Sequence, residues 1–187
     1  MIITESRLSG LFIIEPTVFE DQRGYFYESY NRKEFLSHGI NLEMVQDNQS
    51  LSQYGVIRGL HYQLNPYAQA KLVRVLEGTV WDVAVDIRTG SPTYGEWFGI
   101  ELSASNKKQL LIPKGFAHGF AVTSPHAVFF YKCDQYYHPD AERGIHHADP
   151  KLHINWPIPD EKRVVSNKDQ ALPLFNRAEH NFVIEKK

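Results

Sequence analysis

Gly55-Val-Ile-Arg-Gly-Leu-His-Tyr-Gln63 and, after a short polar loop, Lys71-Leu-Val-Arg-Val-Leu-Glu-Gly78 decide the reading of this chain. Each is an apolar run interrupted by single polar residues and bounded by glycine, the pattern of two strands joined by a loop. The interrupting residues are Arg58, His61, Gln63 and Lys71. Side chains alternate along a strand, so Arg58 and His61, an odd number apart, face opposite ways if the strand is regular. Gly59 lies between them, and a bulge at glycine brings both to one side. His61 and Gln63 share parity and hence a face. Lys71 opens the next strand and reaches that face if the two strands pair. A His, a Lys and an Arg converging on one pocket suit chemistry on an anionic substrate that carries a carbonyl. Taken alone, the stretch is also compatible with a solvated strand face.

Short strands separated by turn residues continue on both sides. Residues 10–16 are apolar and closed by proline. Residues 25–30 carry aromatics on both faces, which predicts a strand sandwiched between layers or subunits. Asn31 caps a short helix, with Glu34 three residues on and Gly39 at its end. Residues 42–51 place Gln46, Asn48 and Ser50 at period two, a stripe that suits sugar hydroxyls, a base edge or solvent. Residues 78–88 alternate, with Trp81, Val83, Val85 and Ile87 on one face. Asp82 and Asp86 lie on the other and read as structural or solvated. Residues 94–102 and 109–113 are further strands, and the next carries His118. Residues 126–137 form the longest strand candidate, in which Tyr131 and Tyr137 share parity. After Pro139 the chain is rich in His, Asp and Pro, and residues 139–187 are expected to wrap the sheet.

At 187 residues and 42% hydrophobic content the chain is expected to form one domain, residues 1–187, with its own core. A formal charge of -2 gives no reason to expect nucleic-acid binding, so a cationic site must be local. The single cysteine, Cys133, rules out an internal disulfide framework and fits a reducing, cytoplasmic setting. No leader-like or membrane-spanning stretch is seen, so no membrane partner is expected. Regular strands with short turns argue an all-β antiparallel sandwich or barrel with a few short peripheral helices.

Two spacings resemble those of the cupin jelly rolls. Gly55 is followed by five residues and His61, six residues separate Lys71 from Gly78, and Pro113-Lys-Gly115-Phe-Ala-His118 follows. In the metal-binding members a second His and a Glu stand where this chain has Gln63 and Lys71. An ammonium has no lone pair to donate and an amide is a poor substitute for imidazole, so no metal and no cofactor are expected.

A cupin-like jelly roll with these departures resembles the dTDP-4-dehydrorhamnose 3,5-epimerase family, enzymes of activated-rhamnose synthesis. The likeness runs through Asp21-Gln-Arg-Gly24 with Phe26 and Glu28, Gln46-Asp-Asn48, Arg58-Gly-Leu-His61-Tyr-Gln63 and Gln69-Ala-Lys71-Leu-Val-Arg-Val. It continues in Gly115-Phe-Ala-His118-Gly-Phe, Tyr131-Lys-Cys-Asp-Gln-Tyr-Tyr137, Glu142-Arg-Gly-Ile and Ser166-Asn-Lys-Asp169. The resemblance implies a dTDP-linked 4-keto sugar as substrate, with protons exchanged at C3 and C5 beside the C4 ketone. It makes His61 the base, Asp169 its partner, Lys71 the cation at the C4 oxygen and Tyr131 the proton donor. Arg23, Arg58 and Lys168 would meet the pyrophosphate or sugar. Phe26, Glu28, Gln46, Asn48, Gln63, His118 and Glu142 would position sugar and base, with Tyr137 stacked on the nucleobase. It also implies a homodimer in which strands from residues 1–30 pair across the interface, placing Arg23 and Glu28 in the neighbour's site. One departure is local: His146-His147-Ala148 stands where the family carries an Arg-Trp pair. The rival readings are a 3-epimerase or a 3,5-epimerase on a related nucleotide sugar, a non-catalytic sugar-binding jelly roll, and a metal cupin.

Overall fold

The computed structural model describes residues 1–184. Its strands, in chain order, begin with β1 (Ile2–Glu5), β2 (Phe12–Glu15), β3 (Val18–Asp21) and β4 (Gly24–Tyr27). After α1 (Arg32–Ser37) come β5 (Gln46–Gln53), β6 (Val56–Gln63), β7 (Lys71–Glu77) and β8 (Thr79–Asp86). Next are β9 (Trp97–Ser103), β10 (Gln109–Ile112), β11 (Phe116–Val122) and β12 (His126–Cys133). The short β13 (Glu142–Gly144) and β14 (Val164–Val165) precede α2 (Asn167–Gln170). One sheet runs β1-β2-β10-β7-β12-β5, and the facing sheet runs β13-β6-β11-β8-β9 with β14 added beside β6. All of these pairings are antiparallel except β14 with β6. The result is the antiparallel jelly-roll sandwich expected.

Three apolar layers hold it together. Val73, Val75, Leu110, Ile112 and Phe129 of the first sheet meet Val80, Ala84, Phe116, Phe120 and Val122 of the second to form the interior. Outside the second sheet, Ile57, Leu60, Val83, Val85 and Ile87 are covered by Ile145, Leu152, Trp156, Ile158, Phe175 and Phe182. The segment after Pro139 thus lies over that sheet; of its span to residue 187, positions 185–187 fall outside the described residues. Outside the first sheet, Phe35 of α1 packs on Ile14, Leu72 and Leu111. Asn31 caps α1 by accepting from the N–H groups of Lys33 and Glu34. No helix among the described residues is long and apolar enough to cross a membrane.

Several sequence expectations need correction. β6 and β7 do not pair; they belong to opposite sheets. The aromatic strand ends at Tyr27 and pairs only with β3, leaving Phe19, Tyr25 and Phe26 exposed on a separate hairpin. β12 stops at Cys133 because Asp134 turns the chain, exchanging bonds with Ala70 through its N–H and its carboxylate. Asp82 and Asp86 are wholly buried, since the face of β8 they share looks into the sandwich interior with Val80 and Ala84.

Candidate active site

The site begins at an irregularity in β6. His118 of β11 stands opposite His61 and Phe120 opposite Arg58, so Gly119 alone faces Gly59 and Leu60. This is a bulge, and it turns Arg58 and His61 into the same cavity. Glycine is required there. Gly59 has φ +117°, and a Cβ on it would lie 2.6 Å from both Gly119 Cα and His118 O. The bulge also frees the Gly59 N–H from the ladder, and it donates to Asp169 Oδ2 at 3.1 Å. The other carboxylate oxygen, Oδ1, lies 2.8 Å from His61 Nε2. Ser166 caps α2 by accepting from the Asp169 N–H, which fixes the carboxylate. Burial alone would push the Asp169 pKa up, but the bonds from His61 and Gly59 and the nearby Lys168 hold it below the usual carboxylate range.

The opposite sheet supplies the remaining reactive groups. Lys71 and Tyr131 project inward from β7 and β12, with the Lys71 ammonium 5.9 Å from the centre of the Tyr131 ring. Burial pushes the Lys71 pKa down and the Tyr131 pKa up, so the phenol keeps its proton at neutral pH. Lys71 therefore meets His61 across the sandwich rather than along a shared sheet. The cavity between them, about 300 Å³, is lined by Ser50, Arg58, His61, Lys71, His118, Tyr131, Lys168 and Asp169 among others. Arg58 is steadied by its Nε donating to the buried Ser52 hydroxyl at 3.0 Å. His118 Nε2 lies against both oxygens of Asp82, at 3.0 and 2.9 Å.

A smaller lobe of about 80 Å³ shares His61, Lys71 and Tyr131 and extends to Gln63, Gln69, Tyr137 and Glu142. At its mouth Glu142 Oε2 accepts from the Tyr137 hydroxyl and from the Lys168 ammonium, both at 2.7 Å. Burial would raise the Glu142 pKa, but these two donors lower it on balance, and the same bonds raise Tyr137 and Lys168. Gln46 accepts from the Tyr137 N–H at 2.9 Å and donates to Asn48 at 3.0 Å, so the polar stripe of β5 borders this mouth. Tyr137 gets there by the turn after Cys133, not by strand parity with Tyr131.

Four expected ligand residues are placed differently. Gln63 borders the small lobe, but its amide donates to the carbonyls of Tyr67 and Tyr136 and accepts from the His138 N–H, so it ties loops together. Arg23, Phe26 and Glu28 line neither lobe. Arg23 is bonded to Asp21 in the exposed β3–β4 hairpin, and Glu28 accepts from Asn31 at 2.9 Å. Asp82, which the sequence reading leaves as structural or solvated, and Ser52, which it does not mark, both belong behind the site; the one available signal is that each shares parity with inward or site-facing neighbours. His146 and His147 stack with ring centres 4.7 Å apart, and no group of three His, Cys, Asp or Glu suited to a metal occurs among the described residues.

A base with its carboxylate, a buried cation, a phenol and two further cations around one cavity can move protons beside the carbonyl of an anionic ligand. Comparison with known proteins agrees with that chemistry. Residues 5–177 match the family described as dTDP-4-dehydrorhamnose 3,5-epimerase. A Shigella flexneri protein of that name is 52% identical over 170 residues, which cover 90% of this chain and 93% of the relative. The crystal structure of the same enzyme from Elizabethkingia anophelis NUHP1 matches with TM-score 0.91 and 54% identity, covering 94% of this chain and 97% of that one. A Legionella pneumophila dTDP-6-deoxy-D-glucose-3,5-epimerase in complex with dTDP-4-keto-L-rhamnose gives TM-score 0.90 and 52% identity, covering 94% and 93%. With a family match over residues 5–177 and relatives 52–54% identical across at least nine-tenths of its length, the chain belongs to the dTDP-4-dehydrorhamnose 3,5-epimerase family of isomerases.

Proposed function

We propose that His61, Asp169, Lys71 and Tyr131 carry the conversion of dTDP-4-dehydro-6-deoxy-D-glucose to dTDP-4-dehydro-L-rhamnose. The observation that supports this most is the arrangement of His61 with Asp169 on one sheet side and Lys71 with Tyr131 on the other, about one cavity. With Nε2 turned to Asp169, His61 Nδ1 is the atom that takes the proton from C3 or C5. The electron pair moves onto the C4 oxygen, where the Lys71 ammonium meets the enolate charge. Tyr131 then delivers its proton to the opposite face of the carbon. The proton on His61 and the one missing from Tyr131 are exchanged with solvent before the second carbon reacts. Base catalysis of this kind contributes on the order of 10² to 10⁴ in rate.

Arg58 and Lys168 are read as partners of the pyrophosphate, and Gln46, Asn48, Glu142 and Tyr137 as partners of the sugar and nucleobase. Arg23, Phe26 and Glu28 are assigned to the site of a second copy, because they lie on, or in the case of Glu28 directly after, an exposed aromatic hairpin away from this chain's own cavity. The working form is thus read as a homodimer, and the free buried thiol of Cys133 fits a cytoplasmic setting.

The test is turnover of dTDP-4-keto-6-deoxyglucose in D₂O, with NMR following C3 and C5 and a reductase trapping the product configuration. Deuterium with inversion at both carbons is expected, and His61→Ala should abolish both exchanges. Label confined to C3 would make the chain a 3-epimerase, and no exchange would mean that its substrate is a different nucleotide sugar or that it only binds one.

A further inference from the structure

We propose that Gln63 is a positioning residue that sets Tyr137 at the mouth of the cavity and so governs affinity for the nucleotide half of the substrate. β12 ends at Cys133, and residues 134–138 lie in neither sheet. Their backbone groups need partners all the same. Three successive N–H groups find them on three glutamine side chains. Tyr136 donates to its neighbour Gln135 at 2.9 Å, Tyr137 to Gln46 at 2.9 Å and His138 to Gln63 at 2.7 Å. The Gln63 amide also donates to the Tyr136 carbonyl at 3.3 Å and to the Tyr67 carbonyl at 2.6 Å. It therefore bonds the residues on both sides of Tyr137, as the backbone of a neighbouring strand would. Two carbonyls need donors and one N–H needs an acceptor, so only one orientation of the amide satisfies all three.

Gln63 has no donor left for a ligand, because both amide hydrogens are engaged and the residue is only 4% exposed. It acts through the chain it holds. Tyr137 is 50% exposed, and its hydroxyl bond to Glu142 is the one side-chain hydrogen bond it makes among the described residues. A ring so lightly held keeps its place only if its backbone is fixed. Gln46 grips that backbone from the first sheet and Gln63 from the second. Gln69, whose Nε2 donates to the Gln135 carbonyl at 2.7 Å, and Tyr67, whose ring stacks on His138 at 3.8 Å, also hold this turn. Both belong to the loop between β6 and β7, however, whereas Gln63 is part of β6 itself. Without that anchor the ring must be ordered each time a nucleotide binds, and the ordering is subtracted from affinity. This last step rests on the reading of Tyr137 as a partner of the nucleobase; the tie itself does not.

The first test is amide hydrogen exchange in the unliganded protein. In wild type the Tyr137 and His138 amides are expected to be protected. In Gln63→Met, which keeps the bulk and removes the amide, both should exchange about tenfold faster, with the amides of the β6–β11 ladder unchanged. Equal rates in the two proteins, or faster exchange throughout, would overturn the tie, whatever the protein catalyses. The second test is calorimetric titration with dTDP. Tyr137→Ala is expected to weaken binding about tenfold, the scale of one lost stacking contact, and Gln63→Met about fivefold. The double variant should bind no more weakly than Tyr137→Ala alone. Additive losses would overturn the route through Tyr137. Full affinity in Tyr137→Ala would overturn the nucleobase reading of that ring, separately from the tie. In turnover of the 4-keto substrate, Gln63→Met should raise KM about fivefold with kcat nearly kept. A fall in kcat at unchanged KM would overturn the positioning role and leave a structural one. Should Gln63→Met fail to fold, Gln63→Glu keeps the acceptor for His138 and loses both donors, and the same exchange and titration apply to it. Wild type also decides by itself, since Tyr137 and His138 amides exchanging at open-loop rates would overturn the tie.

Discussion

Lys71 is an ammonium held in a cavity whose burial lowers its pKa. Between the folded and unfolded values the unfolded chain binds more protons, and below both the fold carries the whole penalty of the buried charge. Lys71→Met is therefore expected to raise Tm by about 2–4 °C, the shift that about 1 kcal/mol makes in a chain of this size. The same change should lower kcat about 10²–10³-fold by removing the cation at the C4 oxygen. Calorimetry and kinetics on one preparation check both, and a lower Tm would show that the ammonium is well solvated. Asp169 behaves in the opposite sense. Its folded pKa is depressed, so its contribution is complete above the unfolded value, about 3.9, and is lost as pH falls through the lower folded value. The Tm advantage of wild type over Asp169→Asn should hold from neutral pH to about pH 5 and shrink as the pH falls further, through the depressed folded value. An advantage that grows in acid would contradict the hydrogen-bonding account of that carboxylate.

β6 is the element on which the site depends, and its bulge is the part most sensitive to a single methyl group. In Gly59→Ala the new Cβ would meet Gly119 Cα and His118 O at 2.6 Å, at a φ that side chains rarely adopt. A loss of about 2–4 kcal/mol is expected from strain and overpacking together. Activity should fall further than stability alone explains, because Arg58 and His61 lose their common direction; urea unfolding beside steady-state kinetics separates the two effects. The bulge was legible in the sequence, since a glycine between two polar residues of opposite parity has few other uses. The alternation of β8 was legible as well. What periodicity does not carry is the identity of the facing strand: Lys71 would reach the face of His61 within one sheet only if β6 and β7 paired, and it crosses from the other sheet instead. Nor does it report where a strand ends, and Tyr137 was counted in register through a turn held by Asp134 and Ala70. Of the two readings that the sequence leaves for Asp82 and Asp86, structural or solvated, burial excludes the solvated one, because this sheet is covered on both sides.

At the scale of the molecule, the two layers divide the chemistry, His61 and His118 from one sheet and Lys71 and Tyr131 from the other. The residues on the β3–β4 hairpin were legible only through family resemblance, since a single chain leaves them away from the cavity. Mixing tests their assignment to a second copy. His61→Ala and Arg23→Ala chains, each nearly inactive, are unfolded together and refolded. If half the dimers are mixed and one of their two sites is intact, activity should recover to about a quarter of wild type. No recovery would return Arg23 to the surface of its own chain. The wrapping segment has a consequence for how the protein is made. His61 and the carboxylate that orients it are 108 residues apart in sequence. A ribosome has therefore synthesised every strand of both sheets before it makes Asp169. Until then the nascent chain holds every strand but lacks both the carboxylate that orients His61 and the Phe175 and Phe182 that finish the cover of the outer face, so shelter and function arrive together at the end of synthesis.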